Sequence, residues 1–256
     1  MADGKNAPKK PAVSKPQRVN DPSRQTSRRF LWGLLALLLV IVAVIAYIVW
    51  SGRSAETDKL AEEKESVNFT AELKDDSYVS LHADDINEDA TEVDLYEDFS
   101  CPYCKELAVE TDDEMKKAVE DGKLVVNVHT LNFLDGENFE TNTGHSTRAL
   151  AAVDVLARNG ETEPWWNARK YLMENQENVS TWEAKDFAEL AKAFGASQDS
   201  VKQIEDSSLN DAQNVGAKNA KKLKDQTGKL SSPRVLIDGK DIDADIYDWV
   251  EKAVKH

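Results

Sequence analysis

The chain has 256 residues, 47 Asp/Glu against 32 Lys/Arg and a formal net charge of −15, which is enough for one sizeable domain or two small ones. The charge is unevenly spread: residues 1–29 hold eight Lys/Arg and two Asp/Glu, residues 30–52 hold none, and the remainder is strongly acidic. An acidic body of that kind repels a phosphate backbone, so nucleic-acid binding is excluded as a main function.

In chain order, residues 1–29 are rich in Lys, Pro, Ser and Asn and carry too little apolar surface to order themselves. Phe30 to Trp50 is an almost unbroken apolar run of 21 residues. A helix of that length spans about 31 Å, close to the roughly 30 Å of a bilayer's hydrocarbon core. Trp32, Tyr47 and Trp50 near its ends suit the membrane interface, and the basic residues before it predict a cytoplasmic N-terminus. The alternative, a cleaved signal peptide, fits less well: the run is long and Ser51-Gly52-Arg53-Ser54-Ala55 makes a poor cleavage site. Either reading puts the acidic body outside the cytoplasm. The expected division is a basic cytoplasmic tail (1–29), a membrane anchor (30–50), a stalk or linker (51–76) and a folded domain (77–256).

Alternating runs near Val67–Leu73 and Tyr78–His82 read as short strands, and Glu92-Val93-Asp94-Leu95-Tyr96 as a strand leading into Cys101. Leu107, Met115, Ala118 and Val119 predict an amphipathic helix ending near Gly122, followed by a strand at Leu124–Val128. The sum is a βαβ-type unit. Helical patterns then dominate residues 143–227, with stripes at Ala149/Leu150/Val153/Leu156, Trp165/Ala168/Leu172, Phe187/Leu190/Ala191/Phe194 and Ala212/Val215/Leu223. Gly160, Gly195 and Gly228 mark stops, Pro164 an entry, and Ser180 with Glu183 a capping box. Strand character returns at Arg234–Ile237, followed by an Asp238-Gly239 turn and a closing helix with Ile246, Trp249, Val250, Ala253 and Val254 on one stripe.

The chain has only two cysteines, Cys101 and Cys104. Zinc needs about four ligands, and His82, His129, His145 and His256 lack ligand spacing, so no metal is expected. A structural disulfide across so short a loop would restrict the unfolded chain little. A redox pair remains, forming and breaking a Cys101–Cys104 disulfide without any cofactor. At a helix start, Cys101 would sit by unpaired backbone N–H groups and the positive end of the helix dipole, which favour the nucleophilic thiolate. Cys104, one turn further in, would resolve the mixed disulfide. Pro102 suits the first helical turn, while Glu97 and Asp98 would oppose thiolate formation if close.

The segment Val93-Asp94-Leu95-Tyr96-Glu97-Asp98-Phe99-Ser100-Cys101-Pro102-Tyr103-Cys104-Lys105 resembles the active-site strand and turn of DsbA-like oxidoreductases, and is most similar to the membrane-anchored type of Gram-positive actinobacteria. The resemblance implies an α/β thioredoxin fold with an all-helical insertion, here about residues 143–227. It also implies a cis-proline at Pro233, with Ser232 beside the cysteines and its backbone holding an extended substrate strand. Two positions depart from the family pattern. Tyr103 replaces the His of the strong oxidants, which points to a weaker one. Leu95 stands where many thioredoxin-fold enzymes keep a buried acid, leaving Asp94, Glu97 and Asp98 as candidates for proton transfer, or as ordinary surface acids. The implied function is oxidation of unfolded exported proteins with free thiols, with a membrane partner restoring the disulfide. A reductase or isomerase on the same fold and a non-redox envelope holdase are the alternatives. His129 and His145 read as structural, and Asn68-Phe69-Thr70 and Asn178-Val179-Ser180 as chance matches to a glycosylation pattern.

Overall fold

The computed structural model describes residues 30–44, 60–62 and 64–256. Two units are distinguished, Met1–Arg53 and Ser54–His256. In the first, residues 30–44 form a helix, α1, with exposed side chains. Among the described residues no helix is long and apolar enough to cross a membrane. The basic tail (1–29), residues 45–50 of the expected anchor and residues 51–59 of the expected stalk lie outside the described residues.

The second unit is built on a six-stranded sheet in the order β1-β2-β4-β3-β5-β6. The strands are β1 (Thr70–Lys74), β2 (Tyr78–His82), β3 (Thr91–Asp98), β4 (Leu124–Leu131), β5 (Arg234–Ile237) and β6 (Lys240–Asp241). β3 and β4 are parallel, joined by α2 (Pro102–Glu120), which is the expected βαβ unit; the other pairings are antiparallel. The fold starts earlier than residue 77: β1 falls within the stretch expected to be a stalk, yet pairs with β2 through Ala71↔Leu81, and Leu60 is buried in the core. Asp75 and Asp76 turn that hairpin with positive φ, a conformation that short side-chain acids tolerate. Asp238 and Gly239 do the same between β5 and β6.

Between β4 and β5 come α3 (His145–Arg158), α4 (Thr162–Glu174), α5 (Gln176–Val179), α6 (Ala184–Ala193), α7 (Gln198–Glu205) and α8 (Asn210–Thr227). Their buried stripes are those the apolar spacing predicts, but α5 and α7 are additional. The capping of α6 also differs: Ser180 ends α5, while Glu183 is the N-cap and its N–H donates to Asp186. Pro164 lies inside the first turn of α4, where its missing N–H costs nothing. The closing α9 (Trp249–Val254) is preceded by a 3-10 turn at Ile246–Asp248; Trp249, Val250 and Ala253 are buried, but Val254 is exposed and leaves the expected stripe.

Strand alternation sends Val93, Leu95 and Glu97 of β3 to the α2 side of the sheet, and Asp94, Tyr96 and Asp98 to the other. On that second side Tyr96, Leu131 and Leu236 pack with Ala220 and Leu223 of α8. The two adjacent acids at the end of β3 thus enter different surroundings.

Candidate functional site

β3 lies between β4 and β5 and ends at Asp98; after Phe99 and Ser100 the chain turns into α2. Cys101 is the N-cap of α2, in extended conformation (φ −86°, ψ 114°), with Pro102 at the first helical position. The Cys101 N–H donates to the Asp98 carbonyl at 2.9 Å, and its own carbonyl accepts from the N–H groups of Cys104 and Lys105 at 3.0 and 3.2 Å. Cys104 is one turn further in. Both are free thiols, 4% and 3% exposed. Tyr103, by contrast, is 65% exposed.

Across from the pair, the Ser232–Pro233 peptide bond is cis. Antiparallel pairing of β5 with β3 (Tyr96↔Arg234) carries this loop to the cysteines, and the Cys101 thiol donates to the Ser232 carbonyl at 3.4 Å. The Ser232 hydroxyl is buried with no hydrogen-bond partner, and its nearness to the two sulfurs pulls the pKa of both downward.

The two thiols differ sharply in acidity. The Cys104 sulfhydryl, hydrogen-bonded to the Cys101 sulfur, holds Cys101 down to about 6, with the Ser232 hydroxyl and the N–H groups of Cys104 and Tyr103 adding to it and burial opposing it. Burial pushes Cys104 well above the ordinary thiol range, and the bond to Cys101 adds to the shift. Cys101 is thus the sulfur that ionises near neutrality.

The three candidate acids separate. Asp94 lies on the far side of the sheet, where it accepts from His129 Nε2 at 2.8 Å and neighbours Lys222 at 3.5 Å; it has no part in the cysteine turn. His129 is stacked between Tyr96 and Tyr78 and bonded to Asn219, a packed structural histidine. Glu97 and Asp98 are not surface acids. Glu97 receives two hydrogen bonds from Arg169, at 2.8 and 2.6 Å, and Arg169 also donates to Asp112 of α2 at 2.8 Å. All three are buried. Asp98 is fully buried and accepts from the Ser100 N–H (2.9 Å), the Leu134 N–H (3.2 Å) and the Ser146 hydroxyl, while Ser146 also meets the Ser100 hydroxyl at 2.7 Å. Burial raises the Asp98 carboxyl to about 7.

The helical insertion therefore grips the turn at three points. Ser146 of α3 holds Asp98, Arg169 of α4 holds Glu97, and Gln176 of α5 donates to the Cys101 carbonyl at 3.0 Å. Ser146 is set by Asp135, whose carboxylate accepts the Ser146 and Thr147 N–H groups and so caps α3 from eleven residues upstream. His145 beside it is buried with neither ring nitrogen hydrogen-bonded, and lies near Phe187. Sequence reasoning missed Ser146, Arg169, Asp112 and Gln176. For two of them a signal existed: Arg169 shares the apolar stripe of Trp165, Ala168 and Leu172, and Asp112 that of Ala108 and Met115, positions where a charge demands a buried partner.

The sequence matches the family described as thioredoxin over residues 87–256. It is similar to the MdbA protein of Corynebacterium diphtheriae, titled a thiol-disulfide oxidoreductase, at 43% identity over 76% of this chain and 98% of that one, with a TM-score of 0.71. The MdbA protein of Corynebacterium matruchotii, with the same title, is 39% identical over 78% and 98% of the two chains, with a TM-score of 0.72. A stretch of 113 residues is 32% identical to the serine/threonine-protein kinase PknE of Mycobacterium tuberculosis, covering 41% of this chain; the match spans 19% of the kinase's length. A thioredoxin match over most of the chain, near-complete coverage of two such oxidoreductases and a cysteine pair facing a cis-proline agree: the chain belongs to the thioredoxin family, as a DsbA-like thiol–disulfide oxidoreductase.

Proposed function

We propose that this oxidoreductase works outside the cytoplasm as a disulfide donor, passing its Cys101–Cys104 disulfide to exported proteins that arrive unfolded with free thiols. The observation that carries this reading is the placing of Cys101 at the N-cap of α2, its thiol against the Ser232 carbonyl beside cis Pro233, with Cys104 buried one turn behind. That arrangement lowers Cys101 to about 6 and raises Cys104. Stabilising a thiolate at Cys101 stabilises the reduced enzyme, and a couple whose reduced form is stabilised is an oxidant.

A substrate thiolate attacks the Cys101 sulfur, forming a substrate–Cys101 disulfide and releasing Cys104 with the electron pair. A second substrate thiolate then attacks the substrate sulfur, and Cys101 leaves as a thiolate. The substrate has lost two electrons and the enzyme holds them as the dithiol. A membrane-bound oxidant must collect them. Ser232 and Pro233, beside the nucleophile, are the proposed substrate-binding residues, with the Ser232 backbone pairing an extended segment. Pro102 and the exposed Tyr103 form the outer rim that tunes the couple. The apolar run 30–50 behind a basic segment supports a single-pass anchor that keeps the enzyme beside the site of export.

Trapping in growing cells tests the reading. With Cys104→Ala the Cys101 thiolate can still attack a disulfide of an exported protein, releasing its other sulfur as a thiolate. The mixed disulfide so formed has no internal thiol to resolve it, so exported proteins should accumulate as adducts that reductant releases. The wild-type disulfide form should oxidise a dithiol peptide in vitro. No adducts, together with no peptide oxidation, would overturn the proposal.

A further inference from the structure

The Cys101 carbonyl is crowded with donors. It accepts the N–H groups of Cys104 and Lys105, at 3.0 and 3.2 Å, and a third hydrogen bond from Gln176 Nε2 at 3.0 Å. The third donor comes from outside the redox turn. Gln176 opens α5 directly after α4 and stands 75 positions along the chain from its partner. The joint that carries it is firmly held: Asn175 bonds back to the Tyr171 carbonyl and accepts the N–H groups of Asn178 and Val179, and Val179 is fully buried. Gln176 itself is 8% exposed and lies against buried Met173, whose sulfur is 3.9 Å from Nε2, whereas Glu177 beside it faces solvent. Burying a long amide costs rotamer freedom and hydration, and here it serves one backbone oxygen.

The covalent chemistry of the turn explains what that oxygen needs. The peptide joining Cys101 to Pro102 is tertiary, so it sets a carbonyl dipole beside the sulfur and has no N–H to oppose it. A carbonyl oxygen in the same residue disfavours negative charge on the sulfur. A donor on that oxygen offsets the effect, and does so more strongly where water is excluded. The amide is neutral, as are the Cys104 sulfhydryl, the Ser232 hydroxyl and the N–H groups of Cys104 and Tyr103 that favour the thiolate directly. The buried charges around the turn are engaged elsewhere: Glu97 and Asp112 with Arg169, and Asp98 with Ser100, Leu134 and Ser146. Gln176 can therefore be replaced without stranding one of them.

We propose that Gln176 is a positioning residue of the redox site: by donating to the Cys101 carbonyl it stabilises the Cys101 thiolate of the reduced enzyme, so that the helical insertion tunes the strength of the couple. The role concerns the thiolate and not the direction of electron flow, so it stands or falls separately from the disulfide-donor reading.

Two variants of the full-length protein test it. Gln176→Met keeps the length of the side chain and removes the donor, while Gln176→Asn keeps the amide and withdraws it from the oxygen by one methylene. In the dithiol form of each, the midpoint of Cys101 alkylation should rise by about half a unit. Equilibration with glutathione at pH 7 should show the dithiol form disfavoured by about threefold, which is a potential about 14 mV lower. A merely structural role would lower the thermal stability of both redox forms alike and leave midpoint and potential in place. Wild-type NMR keeps the test open if neither variant folds. The Gln176 side-chain N–H signals should move with the Cys101 titration in the dithiol form, with a midpoint of about 6, and stay still over the same range in the disulfide form. Folded variants with unchanged midpoint and potential, or side-chain signals indifferent to the titration, overturn the inference. Should these shifts appear while cells trap no adduct and no peptide is oxidised, the donor reading fails and the role of Gln176 stands.

Discussion

At Cys101 the thiolate is favoured by the Cys104 sulfhydryl, the Ser232 hydroxyl and the opening N–H groups of α2, against the cost of burial. Its alkylation rate should therefore titrate with a midpoint of about 6 in the reduced enzyme. Ser232→Ala removes one neutral donor. A hydrogen bond to a charged group contributes about 1.5–3 kcal/mol, so the midpoint should rise by about one unit. An unchanged midpoint would mean that the hydroxyl does not act on the sulfur. The residue scale is also where the sequence was most informative. A cysteine pair with proline after the first member already implies a helix start, and the Ser232–Pro233 bond across from it is cis. What could not be read was the fate of the three acids, because that depends on what packs on each face of β3. Alternation alone separates Glu97 from Asp98, but the partners come from residues 146 and 169.

Three helices of the insertion, α3, α4 and α5, each reach the redox turn with one polar side chain. The arginine of α4 is the strongest of these links. Replacing Arg169 by Leu would leave Glu97 and Asp112 as unpaired buried carboxylates, and losing one partner of a buried ion pair costs about 3–5 kcal/mol. Denaturant unfolding of Arg169→Leu should show a loss of that size; a loss under 1 kcal/mol would mean that the two acids are neutralised by other means. At the start of α3, a Cβ on Gly144 would come within 2.4 Å of the Asp135 carboxylate. Gly144→Ala should therefore weaken the cap on α3, shift Ser146 away from Asp98 and lower thermal stability, whereas Gly160→Ala meets open space and is disfavoured only by its positive φ. The helices with clean stripes were legible from the sequence. The ones that were not, α5 and α7, are four and eight residues long, too short for periodicity to stand out. The cap of α3 was invisible because the accepting carboxylate, Asp135, is eleven residues away.

Over the whole molecule, stability and redox state are linked through protons. Asp98 and Asp112 are raised to about 7 and about 6 from an ordinary 3.8. A carboxyl raised by folding contributes stability that is fully present below its unfolded value and is lost as the pH rises through its folded value. For Asp98 that is about three units, on the order of 4 kcal/mol, lost between about pH 4 and 7. The disulfide form should thus resist denaturant better at pH 5 than at pH 8, and Asp98→Asn should reduce the difference. In the dithiol form Cys101 works in the opposite sense. Its folded value is depressed from 9.0 to about 6, so its contribution is present above 9 and lost as the pH falls through 6. The dithiol form should therefore gain on the disulfide form as the pH rises from 6 to 9. At this scale the division of the chain set the start of the folded domain at residue 77, although the alternation of Val67–Leu73 already marked the strand that the sheet includes there.

The measurement that bears most directly on the disulfide-donor reading is the reduction potential of the Cys101–Cys104 couple, taken by equilibration with a glutathione buffer at pH 7. A thiol held at about 6 is more acidic than that of thioredoxin (about 7) and less so than that of DsbA (about 3.5), so the couple should fall between their potentials of about −270 and −120 mV. A value at or below about −270 mV would contradict the account, because such a couple takes electrons from exported thiols too poorly to serve as their oxidant.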